Sequence, residues 1–161
     1  MNRKPILYSL EPFDPAGHRV RATLTVAEPT PSGQLISMPA WIPGSYLIRD
    51  FARQVEVITA HCGRQSLKIK KVDNHTWRVA PCQGVLTVTA EIYAWDLSVR
   101  GAHFDESHGF FNGTSVFLKP HGHESTPCEL TLLPPPGRLG WSVHTSMPLR
   151  ARAQNTLSTK G

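Results

Sequence analysis

Hydrophobic and polar residues alternate along much of this chain. Val20, Ala22, Leu24 and Val26 interleave with Arg19, Arg21, Thr23 and Thr25, which predicts a half-buried strand over residues 18–27. The longest run covers residues 85–95, with Leu86, Val88, Ala90, Ile92 and Ala94 on one side and Thr87, Thr89, Glu91 and Tyr93 on the other. Further strands are predicted over 34–40, around Val55, Val57 and Thr59, and over 67–72, 76–79, 115–118 and 129–133. Glu28-Pro29-Thr30-Pro31-Ser32-Gly33 and Asp73-Asn74-His75 are turns between them. Helix is scarce: Leu47, Phe51 and Val55 fall at i, i+4, i+8, enough for one or two turns within 46–55. The expected fold is all-β, an antiparallel sandwich or a curved, saddle-like sheet. Its core should hold Val20, Leu24, Val26, Leu86, Val88 and Ile92.

Composition narrows this picture. The 161 residues are enough for one domain with a real core, and 14 Pro plus 12 Gly suit a turn-rich β chain better than a helix bundle. We expect a β domain over residues 1–150 and, in the polar residues 151–161, a truncated connector. No apolar run approaches the roughly 18 residues of a membrane span, and the basic start Met1–Pro5 leads into no signal-like apolar stretch, so no membrane is expected as partner. The three cysteines, Cys62, Cys82 and Cys128, form no CxxC pair and read as free thiols in a reducing, cytoplasmic setting. The net charge of +5 is spread along the chain, and Lys68 and Lys70 alternate with Leu67 and Ile69 as a solvated strand face. Nucleic acid is therefore not expected as a partner.

Familiar catalytic signatures are absent from the sequence: there is no HExxH, GxSxG, Walker loop or GxGxxG. No catalytic residue and no metal ligand is assigned. His121-Gly122-His123-Glu124 has the wrong order for a zinc helix and reads as a solvated loop, leaving His103, His108, His121 and His123 as a minor alternative metal set. Asp105 and Glu106 are adjacent, so on a strand they would face opposite ways. Phe110, Phe111, Asn112, Gly113 and Thr114 combine aromatics with a turn; the aromatics either anchor the loop or line a pocket whose polar contacts come from Asn112 and Thr114. Trp41 to Phe51 reads as a packed corner turned by Pro43-Gly44, with Arg49 and Asp50 paired or bracing the backbone. The four tryptophans are spread evenly, as core residues would be.

Several of these blocks carry a resemblance. Trp41-Ile42-Pro43-Gly44-Ser45-Tyr46, Ile48-Arg49-Asp50-Phe51, Asp73–Val79, Tyr93–Arg100, Ala102–Asp105 and Gly109–Phe117 are similar to the N-terminal domain of the glycyl aminopeptidase-type zinc metallopeptidases, peptidase family sixty-one. The likeness runs from about Tyr8 to Leu149. It implies a parent of three parts: this β domain, a thermolysin-like catalytic domain with HExxH, and a PDZ domain. The β domain would resemble the saddle-shaped N-terminal domain of the wider zinc aminopeptidases. Its implied job is non-catalytic: to wall the active-site cleft and help recognise peptide N-termini. The implied partners are the catalytic domain of the same parent chain and the substrate N-terminus, with self-association through surface exposed by truncation. No cofactor is expected in this fragment, and zinc is expected in the parent. By the same resemblance, Phe110 to Thr114 would form the substrate-binding edge, with the Asn112 carboxamide oxygen accepting from the peptide amine, unless it only caps its own turn. The alternative is a free-standing β-sandwich binding module for carbohydrate or protein.

Overall fold

A computed structural model describes residues 4–137, 140–153 and 156–160. Its main sheet has eight strands: β1 (Ile6–Asp14), β2 (Arg19–Val26), β4 (Val55–Cys62), β5 (Gln65–Leu67), β8 (Leu86–Tyr93), β12 (Cys128–Leu132), β13 (Leu149–Ala153) and β14 (Thr156–Lys160). A four-stranded sheet contains β3 (Leu35–Ser37), β6 (Ile69–Lys71), β7 (Thr76–Val79) and β11 (Lys119–Pro120). The hairpin of β9 (Ala102–Phe104) and β10 (Gly109–Phe111) stands apart. The large sheet runs β13-β14-β12-β1-β2-β8-β4-β5 and the smaller β11-β3-β7-β6. Pairing is antiparallel throughout except for β1 with β12. The fold is thus all-β, as the alternation requires. Among the described residues, helix is limited to two 3₁₀ turns, Phe51–Gln54 and Gly113–Ser115, and no helix is long and apolar enough to cross a membrane.

The period-two pattern explains the core. Val20, Ala22, Leu24 and Val26 of β2 lie opposite Ile92, Ala90, Val88 and Leu86 of β8, and all are buried. Ile36, Trp77 and Val79 of the smaller sheet belong to the same hydrophobic cluster, so the two sheets close on one core. On the opposite face Arg21 reaches Glu11 at 3.1 Å and Glu91 at 3.0 Å, both its cross-strand neighbours.

Several expectations are corrected. β1 escaped the sequence reading because Glu11, Pro12 and Asp14 look like interruptions. They fall where the β1–β2 register shifts, between Glu11 and Asp14, and a bulge is where a strand tolerates proline. Residues 115–118 are not a strand: the amides of Val116 and Phe117 both turn back to the Gly113 carbonyl, at 3.3 and 3.0 Å. The sheet also continues past residue 150. β14 pairs with β12 and β13 with β14, where the polar sequence had suggested a connector. β14 lies between β12 and the edge strand β13, so backbone pairing, not an apolar side-chain pattern, places both. Finally, the cysteines are not three free thiols. Cys62 and Cys82 form a disulfide across a sequence separation of 20, with Cα atoms 6.2 Å apart. Cys128 is the remaining free cysteine, and partial burial pushes its thiol pKa up.

Candidate functional site

Three segments singled out by the sequence converge around the β9–β10 hairpin. In the first, Phe104 of β9 stacks on Phe111 of β10 with ring centroids 6.1 Å apart, and Phe111 meets Phe117 edge-on at 5.8 Å. Phe111 therefore anchors the loop while Phe110, the next residue on the strand, is exposed. Gly109 lies against the Phe104 ring, and a Cβ there would collide with it. Asn112 follows as an N-cap: its Oδ1 accepts from the Thr114 amide at 3.1 Å and from the Thr114 hydroxyl at 2.7 Å. Its carbonyl accepts from the Ser115 amide at 2.9 Å and hydroxyl at 2.6 Å. Both lone pairs of the Asn112 carboxamide oxygen are thus engaged locally.

The hairpin turn brings His103, Asp105 and His108 together. Asp105 Oδ2 lies 3.1 Å from His103 Nε2, and Asp105 Oδ1 lies 3.3 Å from His108 Nδ1. Oδ1 also accepts from the Ser107 amide and hydroxyl, both at 2.7 Å, and from the His108 amide at 2.9 Å. The Ser107 hydroxyl is the largest cause, with the His108 amide and His103 next, of an Asp105 carboxyl pKa held far below the usual carboxylate range. Behind this group the rings form a column. His18 lies 3.7 Å from Trp95, Trp95 4.5 Å from His103, and His103 5.1 Å from His108, measured between centroids. His18 is held there by its Nδ1, 2.8 Å from the Phe104 carbonyl oxygen. No spacing rule links His18 or Trp95 to His103, so only the tertiary fold reveals the column. Glu106, by contrast, is exposed on the turn.

The third segment, Trp41 to Phe51, is a braced corner with an apolar outer surface. The Trp41 indole donates to the Ser45 carbonyl at 2.7 Å, and Arg49 Nε donates to Ser45 Oγ at 3.2 Å. The amides of Arg49 and Asp50 both reach the Ala40 carbonyl, so these two residues brace backbone. Ile42 and Phe51 are buried, while Trp41, Tyr46, Leu47 and Ile48 are exposed. Arg100 ties this corner to the loop after Trp95 by donating to the Gly44 carbonyl at 3.0 Å, and that loop adds exposed Leu97 and Val99. Of the four tryptophans expected in the core, only Trp77 is buried; Trp41 and Trp95 are about half exposed, at 51% and 52%. Elsewhere, His121 Nε2 lies 2.9 Å from Ser37 Oγ on β3, and Glu124 pairs with Lys119 at 3.5 Å.

This architecture has known counterparts. The chain is 38% identical to an aminopeptidase N family protein from Idiomarina loihiensis, over 97% of its own length and 27% of the other's, with a TM-score of 0.91. It also superposes on a mutant M1 zinc metallopeptidase from Deinococcus radiodurans bound to a Tyr-Ser-Ala substrate, with a TM-score of 0.57 over 99% of this chain and 38% of that one. At 12% identity, that second likeness speaks for the fold alone. The chain thus spans about a quarter to two fifths of the solved chains it resembles. No curated protein matches it. The Peptidase M61 N-terminal domain family matches residues 7–160, nearly the whole two-sheet fold with its hairpin, and the chain belongs to that family.

Proposed function

We propose that this chain is the non-catalytic N-terminal domain of a zinc-dependent aminopeptidase of the glycyl aminopeptidase type, where it walls one side of the active-site cleft. The observation that carries the reading is the apolar outer surface of Trp41, Tyr46, Leu47 and Ile48, joined through Arg100 to Leu97 and Val99. Contiguous exposed apolar side chains of this kind mark a surface that another protein body covers. Its occupant in this proposal is the catalytic domain of the same parent chain. No HExxH occurs in these residues, so the parent's zinc and general base would belong to that partner, where the metal would activate water for amide hydrolysis.

In this role the loop Phe110, Phe111, Asn112, Gly113 and Thr114 forms the substrate-facing edge near the peptide N-terminus. Asn112 acts there by fixing the loop through Thr114, and exposed Phe110 presents an apolar surface. The Cys62–Cys82 disulfide speaks against the cytoplasmic setting expected from three free thiols, because such bonds persist in oxidising compartments.

Hydrogen exchange of the 161-residue chain alone and of the parent protein tests the assignment. Amides of residues 41–49 and 95–100 should exchange more slowly in the parent. Equal exchange in both would place the catalytic domain elsewhere and remove the basis of the reading. The parent should also show chelator-sensitive release of N-terminal glycine or alanine, and its lack would refute the activity.

A further inference from the structure

Nothing in the wall-forming role uses the imidazole and carboxylate groups gathered at the hairpin turn. We propose that His103, Asp105 and His108 form a binding site for one divalent transition-metal ion of the zinc class.

The donor set is suited to it. Two imidazole nitrogens and one carboxylate oxygen are offered, with all three ligand atoms within 4.8 Å of one another. This mixture suits zinc, cobalt, nickel or copper, whereas calcium and magnesium prefer oxygen alone. The spacing fits as well. Ligand atoms about 2.0–2.1 Å from a tetrahedral ion stand roughly 3.3 Å apart. Asp105 Oδ2 lies 3.1 Å from His103 Nε2, and the second carboxylate oxygen, Oδ1, lies 3.3 Å from His108 Nδ1. Two imidazoles sharing such an ion have ring centroids about 5 Å apart, and those of His103 and His108 are separated by 5.1 Å.

The supporting structure divides into a fixed part and an adjustable one. The His103 side chain is 3% exposed, lies on β9, and is packed against the Trp95 ring. Asp105 is oriented by three hydrogen bonds from Ser107 and His108 to Oδ1, which leaves Oδ2 facing His103. The His108 side chain is 56% exposed and sits at the tip of the turn. Its exposure at the tip leaves it room to adjust toward the ion while His103 stays fixed. Binding requires that each ligating nitrogen present a lone pair, so the His103–Asp105 hydrogen bond and the 2.9 Å hydrogen bond between His108 Nδ1 and Ser107 Oγ are exchanged for bonds to the ion. Three protein ligands leave one position for water.

The sequence favoured no metal site and kept as an alternative a set that included His121 and His123. The structure divides that set: His121 is bonded to Ser37 on β3, in the smaller sheet. The competing explanation for the cluster is a hydrogen-bonded turn with no ligand.

Calorimetric titration of the 161-residue chain with zinc, and with cobalt while following its visible absorption, separates the two. One ion per chain is expected, with cobalt bands of a four- or five-coordinate site and a higher melting temperature in the presence of zinc. His108→Ala should weaken zinc binding at least tenfold, and His123→Ala should leave it unchanged. His108→Gln, which keeps a polar group at the turn, guards against a folding defect and should bind as weakly as His108→Ala. Absence of saturable binding, or binding that survives both His108 variants, would overturn the proposal and leave the hydrogen-bonded turn.

Discussion

Replacing Asn112 by Ala tests how the loop after β10 is held. The substitution deletes two hydrogen bonds from Thr114 to Oδ1, at 3.1 and 2.7 Å, and leaves the Ser115 bonds to the Asn112 carbonyl in place. An intramolecular hydrogen bond is worth about 0.5–1.5 kcal/mol net. Thr114 is only half-buried, so water replaces part of what is lost. The expected cost is about 1 kcal/mol, the usual value for a lost cap, and it corresponds to roughly 2–4 °C in melting temperature for a chain of this size. Asn112→Asp keeps the acceptor and should melt close to the unsubstituted protein. Thermal or urea unfolding of the three proteins measures this directly. In the aminopeptidase proposed as the parent, kcat/KM per folded molecule should change only in step with the loop. An unchanged melting temperature for Asn112→Ala, with kcat/KM down tenfold or more, would refute the cap and make Asn112 a direct contact to the peptide amine.

Further outcomes follow from the packing and the charges. Reduction of Cys62–Cys82, or Cys82→Ser, frees the loop that carries β5, β6 and β7; for a separation of 20 residues the chain-entropy cost is about 3 kcal/mol, so a melt that ignores reductant would contradict the bond's role. Thiol titration of the oxidised, denatured protein should count Cys128 alone. Gly109→Ala drives a methyl group into the Phe104 ring and should destabilise by about 1–3 kcal/mol in urea unfolding, because Phe104 is buried and has little room to move. Asp105 has a folded pKa depressed below its unfolded value of about 3.9, so its stabilisation is complete above that pH and is lost as acidity increases. Asp105→Asn should therefore flatten the acid limb of stability against pH below about 4, and an unaltered limb would contradict the hydrogen-bonded carboxylate.

Local alternation alone carries a large part of this fold. β2 and β8 are legible because one face of each is buried and the other solvated, and Val20, Leu24, Val26, Leu86, Val88 and Ile92 occupy the core that this pattern implies. The family is legible for a different reason: its blocks, such as those starting at Trp41 and at Gly109, are long enough to be distinctive in sequence. What escaped was held by distant partners. β1 is a strand because β2 and β12 flank it, although Pro12 hides the alternation. β13 and β14 extend the sheet through backbone pairing, which side-chain polarity does not report. The tryptophans divide into buried Trp77 and exposed Trp41 and Trp95 according to where loops leave the sheets, not according to residue type. Cys62 meets Cys82 because the chain leaves the large sheet after β5, passes through β6 and β7, and returns. The imidazole column joins His18 to Trp95 and His103 across most of the sequence. A periodic pattern records the side each residue faces, but the neighbours it meets depend on strand order and loop closure, which only the tertiary structure fixes.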